Sequence, residues 1–153
     1  TFAENAMLKA KAVMEASGLP AIADDSGVCV DALNGAPGVY SARYGGPELD
    51  DAGRYRLLLS NMQGARTRAA HFTSAIACVF PNGDTLEAQG ICPGTIAFAP
   101  QGDGGFGYDP VFFLPELRKT YAQLTPEEKA AVSHRGKALE IFDGKLREYL
   151  KSR

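Results

Sequence analysis

Two adjacent carboxylates open the most polar stretch of the chain, Asp24-Asp25-Ser26-Gly27. They follow an apolar segment, where mutual repulsion and the low β propensity of Asp both disfavour them. A divalent cation relieves such repulsion, and ligands that are all oxygen suit Mg²⁺ or Mn²⁺. The alternative is a turn in which Asp accepts from backbone amides and Gly supplies a positive φ. The pair therefore predicts either a metal site or a turn.

Glu4 is a candidate third metal ligand, because it lies in the first turn of the first predicted helix and would face Asp24 and Asp25. The segment Thr1-Phe2-Ala3-Glu4 also matches a capping box, in which the Glu carboxylate returns to the amide of the N-cap residue. On the residues alone, the capping role is the favoured interpretation.

A glycine-rich stretch, Gly102 to Gly107, formally matches the pattern G-x-G-x-x-G. A dinucleotide-binding loop requires a helix directly after this pattern, whereas the apolar run that follows predicts extended chain. The Rossmann interpretation is therefore rejected, which leaves a flexible loop or a glycine-lined wall for a flat aromatic ligand. Phe106 and Tyr108 would stack on such a ligand and Asp109 would accept its hydrogen bonds, unless the two aromatic residues belong to the core.

Lys129, His134 and Arg135 cluster where one predicted helix ends and the next begins. Lys129 suits a phosphate, and Arg135 offers a planar fork of donors for carbonyl or phosphate oxygens. His134 would be a hydrogen-bond partner or a helix-terminus histidine, and the alternative for the whole cluster is a solvated face. Ser26 lacks a Gly-x-Ser-x-Gly elbow, so the sequence does not predict a serine hydrolase.

Capping residues, hydrophobic periodicity and turn signals predict the elements that must position these side chains. Asn82-Gly83 is a strong hairpin signal between two strand-like runs. Helices and strands are mixed, without repeats or linkers, which predicts one α/β or α+β domain. We expect helices from Thr1 to Gly18, at 50–62, after Thr125 and after Ser133, and strands at 28–33, 69–80, 85–91 and 111–114.

Composition and charge narrow the class of protein. The 153 residues are 45% hydrophobic and 22% charged, typical of a globular protein that can bury a core. A net charge of −2 gives no electrostatic footprint for a nucleic-acid polymer, although a small anionic ligand fits. No apolar run is long enough for a membrane span, and three cysteines outside any C-x-x-C pair favour reduced, buried thiols in a cytoplasmic protein.

Taken together, these stretches resemble the inosine triphosphate pyrophosphatase family, also called the Ham1 family, and its bacterial form above all. The resemblance covers essentially the whole chain and consists of several motifs in the family's order. These are residues 1–6 (TFAENA), 19–27 (LPAIADDSG), 35–44 (GAPGVYSARY), 104–112 (GGFGYDPVF), 127–129 (EEK) and 133–136 (SHRG).

This resemblance implies an elongated, two-lobed α/β domain, with a long mixed β-sheet flanked by helices and the active-site cleft between the lobes. It also implies hydrolysis of ITP, dITP and XTP to the monophosphate and pyrophosphate with Mg²⁺, for which Mn²⁺ would substitute. A cytoplasmic homodimer that clears deaminated purines from the nucleotide pool is expected, without a nucleic-acid polymer or membrane as partner.

The resemblance also assigns roles to individual residues. Asp25 takes the proton of the attacking water, and Glu4, Asp24 and Asp25 hold the metal. Ser26 contacts the substrate and Lys129 meets a phosphate. The base pocket is formed by Phe106, Gly107, Tyr108, Asp109, His134 and Arg135.

One departure from the family concerns the start of the chain. Family members place a strand and a Gly-Asn-x-x-Lys type phosphate loop before the first helix, so we expect residues 1–153 to be a single domain that is N-terminally incomplete. The alternative is a catalytically impaired protein that binds purine nucleotides, and pyrophosphate release from ITP separates the two. Release of orthophosphate would favour a third class, a metal phosphatase acting on other phosphoesters.

Overall fold

The helix ends lie where the capping residues predict them. In the computed structural model, which describes residues 1–152, the hydroxyl of Thr1 accepts the amide of Glu4, and Gly18 ends the first helix in a left-handed conformation. Ser133 caps the last helix through the amide of Gly136. The elements are α1 (Phe2–Ser17), β1 (Ala21–Val30), α2 (Asp51–Asn61), β2 (Ala69–Val79), β3 (Thr85–Ile96), β4 (Phe112–Leu114), β5 (Lys119–Thr120), α3 (Pro126–Val132) and α4 (His134–Lys151).

The five strands form one sheet in the order β1-β2-β3-β4-β5, with helices on both faces. The single α/β domain is confirmed, but every pairing within residues 1–152 is antiparallel, so the expected mixed sheet is corrected. The reason is connectivity: neighbours in the sheet are neighbours in sequence, and the tight turn at Asn82-Gly83 forces β3 back along β2.

Strand β1 runs without a break through Asp24-Asp25-Ser26-Gly27, so neither a turn nor a strand beginning at Val28 is correct there. Successive side chains of a strand point to opposite faces. Asp25 and Gly27 face α1, where Gly27 approaches the backbone of Gly38 too closely to admit a Cβ atom. Asp24 and Ser26 share the face that carries α4.

Three hydrophobic clusters hold this arrangement. On one face, α1 packs Ala6 and Ala10 against Ala75 and Ala77 of β2. On the other face, α4 packs against β2 and β3, and the larger third cluster joins α2 to the far half of the sheet. A Cβ atom on Gly90 would clash with the carbonyl oxygen of His134, so this glycine lets the start of α4 rest on β3.

No helix within residues 1–152 is long and apolar enough to cross a membrane.

Candidate functional site

A cleft of about 650 Å³ lies where α1, β1, α2, α3 and α4 meet the glycine-rich loop. Its volume falls within the range of small-molecule sites. The cleft brings together every site residue predicted from the sequence except Glu4. They are Asp24, Asp25, Ser26, Phe106, Gly107, Tyr108, Asp109, Lys129, His134 and Arg135.

Asp25 is held from α1 by two side chains. The amide nitrogen of Asn5 donates to its Oδ2 at 3.1 Å, and Nζ of Lys9 lies 3.4 Å from its Oδ1. Lys9 also donates to the carbonyl of Asp24 at 3.1 Å. These contacts fix the Asp25 carboxylate at one side of the cleft.

Asp24 points to the other face of β1, where Nη2 of Arg135 lies 3.2 Å from its Oδ2. The guanidinium carbon of Arg135 is 5.9 Å from the centre of the Phe106 ring. Arg135 therefore lies between Asp24 and the aromatic wall, which is the segment from Phe106 to Asp109. The resemblance to the family had placed Arg135 only in the base pocket. Ser26 stands beside Asp24, with its hydroxyl 3.4 Å from that of Ser74.

Glu4 does not line the cleft. Its side chain is exposed. Its backbone amide donates to the Thr1 hydroxyl at 3.1 Å, and a side-chain hydrogen bond with the same hydroxyl lowers the pKa of Glu4. The geometry here is that of a helix cap, and a role of Glu4 as a metal ligand stays a prediction.

The two aspartates are the acidic donors of the cleft nearest to each other in sequence, and no cluster of three His, Cys, Asp or Glu side chains suited to a metal occurs in residues 1–152. Mg²⁺ is commonly held by one or two carboxylates together with substrate phosphates and water. Asp24 and Asp25 lie on opposite faces of β1 and both line the cleft, so each supplies a carboxylate of the kind that fits an ion bound in that way, jointly with a nucleotide.

Asp109 is buried and already engaged on two sides. Nζ of Lys129 lies 2.5 Å from its Oδ2, and the amide of Phe106 donates to the same oxygen at 3.0 Å. Nζ of Lys129 also sits 4.6 Å from the centre of the Phe106 ring. Asp109 therefore orders the wall and Lys129, and its role as an acceptor for the ligand stays a prediction.

The two aromatic residues of the wall have different environments. The Phe106 ring is 62% exposed, so its face is available for stacking. Tyr108 is buried and its hydroxyl donates to the carbonyl of Ser41 at 2.6 Å, so it anchors the wall to the segment that follows β1. Between them, the amide of Gly107 donates to Oδ2 of Asp51 at 2.9 Å. Phe106 alone has the exposure that a stacking platform needs.

His134 is a buried, neutral imidazole. Its ring stacks on Phe72 at a centroid distance of 4.5 Å, and its Nδ1 lies 3.4 Å from the hydroxyl of Tyr121. Burial lowers the pKa of His134 to about 3, and the charges of Arg135 and Lys129 add to this effect. A neutral imidazole has one N–H donor and one acceptor, so it suits hydrogen bonding to a base.

Sequence reasoning missed several residues of the cleft: Lys9, Ser41, Asp51, Arg54 and Phe72. Of these, Lys9 had a detectable signal. It follows Asn5 by four residues in a predicted helix, so the two side chains share one face of that helix. The remainder come from elements whose packing against the cleft depends on the tertiary fold.

Comparisons with known proteins find matches over nearly the whole chain. The model of the Ham1 family matches residues 1–144. A dITP/XTP pyrophosphatase of Streptomyces coelicolor is 51% identical over 152 residues, which cover 98% of this chain and 76% of that protein. A dITP/XTP pyrophosphatase of Exiguobacterium sp. is 49% identical, covering 99% and 77%. The structure of a HAM1 protein from Coxiella burnetii superposes with a TM-score of 0.92 at 45% identity, covering 97% of this chain and 77% of that one.

Proposed function

The chain belongs to the Ham1 family, and from that premise we propose that it hydrolyses deaminated purine nucleoside triphosphates (ITP, dITP and XTP) to the monophosphate and pyrophosphate. The observation that carries the proposal is the shared cleft. The carboxylate of Asp25, held by Lys9, and the exposed aromatic face of Phe106 beside Lys129 and Arg135 line the same cavity. A nucleoside triphosphate needs both features, because its triphosphate would lie at the carboxylate and its planar base would stack on the aromatic face.

The reaction forms a bond between a water oxygen and the α-phosphorus and breaks the bond from that phosphorus to the oxygen it shares with the β-phosphate. Asp25 takes the proton of the water, and pyrophosphate leaves with the electrons of the broken bond. Lys9, 3.4 Å from Oδ1 of Asp25, holds this carboxylate in place and would meet a phosphate oxygen. Asp24 and Asp25 would hold Mg²⁺, which neutralises phosphate charge and activates water when bound.

Selection of the base rests on hydrogen-bond donors at the aromatic wall. Hypoxanthine and xanthine carry a 6-oxo acceptor, whereas adenine carries a 6-amino donor. Arg135, 5.9 Å from the Phe106 ring centre, would pair with the acceptor of a base that stacks on this ring. Adenine would leave its amino group against a donor, and unpaired polar groups of this kind discriminate strongly.

Magnesium dependence, the homodimer and a cytoplasmic location are parts of the same proposal. For the metal, the support is the carboxylate donor set of the cleft. The homodimer and the location rest on the resemblance to the family, and both stay predictions.

The test is pyrophosphate release by the purified chain with Mg²⁺ and ITP, XTP, ATP or GTP, with orthophosphate measured in parallel. We expect pyrophosphate from ITP and XTP and little from ATP. Asp25→Asn should lower kcat by about 10²- to 10⁴-fold, because it removes the base but keeps the shape of the side chain. Asp31→Asn, an exposed aspartate just beyond β1, is the matched control and should retain activity.

Two results would contradict the proposal. Orthophosphate in place of pyrophosphate would indicate the metal phosphatase class. A folded chain that binds ITP and releases no pyrophosphate would support the catalytically impaired nucleotide-binding protein.

A further inference from the structure

Arg54, in the second half-turn of α2, is a cation of the cleft that the reaction above does not use. Its Nη2 donates to the carbonyl of Gly46 at 3.1 Å. Its Nε is the one buried side-chain nitrogen or oxygen in residues 1–152 without a hydrogen-bond partner. A guanidinium has five N–H donors, and buried donors are normally paired. Arg54 therefore lines the cleft with guanidinium donors that no group of residues 1–152 accepts, apart from the bond to Gly46.

Two observations relate Arg54 to the aromatic wall. Asp51 lies three residues earlier on the same helix face, and its Oδ2 accepts the amide of Gly107 at 2.9 Å. Burial raises the pKa of Tyr108, and the charge of the nearby Arg54 opposes that rise. This face of α2 thus abuts Gly107 and Tyr108, next to the exposed ring of Phe106.

A purine stacked on Phe106 carries two informative substituents on its six-membered ring. The substituent at C6 distinguishes the 6-oxopurines from adenine, and the substituent at C2 distinguishes the 6-oxopurines from one another. Lys129, His134 and Arg135 reach the cleft from α3 and α4, and the proposed function assigns the 6-oxo group to that side. Arg54 reaches the cleft from a different element, α2. The C2 edge of the base is the remaining edge that carries a variable substituent.

Resting on the proposed function, we propose that Arg54 is a specificity-determining residue that reads the substituent at C2 of the purine. The 2-oxo group of xanthine is an acceptor and pairs with the spare donors of Arg54. The 2-hydrogen of hypoxanthine neither pairs nor clashes. The 2-amino group of guanine is a donor that meets another donor, so guanine is rejected although it shares the 6-oxo group.

The test compares XTP, ITP and GTP, which differ only at C2, and measures kcat/KM for each with the wild-type chain and with Arg54→Met. This substitution keeps the apolar stem and removes every donor. We expect the XTP/ITP ratio to fall about tenfold or more and the GTP/ITP ratio to rise, since the lost hydrogen bond is to a charged group. Arg56→Met, an exposed arginine on the same helix, is the matched control and should leave both ratios unchanged.

An equal fall of kcat/KM for all three nucleotides, together with a lower Tm, would overturn the inference, because Arg54 would then act only through the Gly46 carbonyl. Unchanged ratios would overturn it as well. If the wild-type chain releases no pyrophosphate, the proposed function fails. The Arg54 inference is then decided by calorimetric binding of XMP, IMP and GMP, where the same change in ranking is required.

Discussion

Two ion pairs in the cleft differ in burial, and they divide it into two regions. Lys129 and Asp109 meet at 2.5 Å with side chains 22% and 5% exposed. Arg135 and Asp24 meet at 3.2 Å with both side chains about half exposed, 47% and 48%. The first pair belongs to the aromatic wall and the second to the side that carries the candidate catalytic carboxylates.

The difference indicates that folding builds the base end of the cleft in advance. Asp109 ties together Lys129 and the Phe106 amide, and Tyr108 anchors the same loop to Ser41. At the phosphate end, Asp24 instead pairs near solvent with Arg135, which reaches across from the aromatic wall, and this pair can open to admit a ligand. Such exposed pairs contribute little to stability, whereas a buried charge that loses its partner is costly.

The largest expected effect on stability is at Asp109. Asp109→Asn should lower the free energy of unfolding by about 3 kcal/mol, because it leaves Lys129 without its buried partner. The measurement is urea denaturation at neutral pH. Asp103→Asn, an exposed aspartate in the same loop, is the control and should change stability by no more than about 0.5 kcal/mol.

Asp109→Asn should also weaken binding of the base and so raise KM for ITP, because Lys129 and Phe106 lose the carboxylate that orders them. Equal stability of Asp109→Asn and Asp103→Asn would show that the wall is not built by this pair.

His134 gives the next effect, in the pH dependence of stability. Its pKa is about 3 in the folded chain, below the ordinary value of 6.5, so the unfolded chain binds more protons between these two values. The stabilisation from the neutral imidazole is complete above pH 6.5 and is lost as the pH falls towards 3. His134→Gln should reduce the slope of unfolding free energy against pH in this window by up to about 1.4 kcal/mol per unit.

The measurement is urea denaturation at a series of pH values from 4 to 7 in steps of about half a unit, with slopes compared rather than absolute stabilities. His71→Gln, which removes the other histidine of the chain, is the matched variant. If the slope of His134→Gln equals that of the wild type, the imidazole does not enter the fold in its neutral form.

Local signals in the sequence predicted much of the fold. Thr1 and Gly18 mark the ends of α1, Asn82-Gly83 marks the β2–β3 hairpin, and Ser133 marks the start of α4, because each signal acts within a few residues. The strand expected to begin at Val28 begins instead at Ala21, because contacts from α1 and α4 stabilise two aspartates within a strand against their low propensity.

The sequence predicted which residues line the cleft better than it predicted which of them contact each other. Arg135 and Asp24 are 111 residues apart, and no local rule pairs them. The resemblance to the family assigned both residues to the cleft, but the packing of α4 on the sheet decides that they meet. Arg54 carried no signal because its significance comes from burial without an acceptor, which is a property of the tertiary structure alone.

The smallest expected effect tests the exposed pair. A double-mutant cycle with Asp24→Asn and Arg135→Met, measured on the free energy of unfolding, should give a coupling energy below about 1 kcal/mol at low salt. The reason is that both side chains are half exposed. Added NaCl at about 0.5 M should reduce that coupling further, because its screening length is shorter than the distances over which exposed charges otherwise interact. The same cycle on Asp109→Asn and Lys129→Met should give a larger coupling that resists salt. If the two cycles gave equal couplings, the phosphate end would be as fully built by folding as the aromatic wall, and its carboxylates would not be free to exchange Arg135 for a nucleotide.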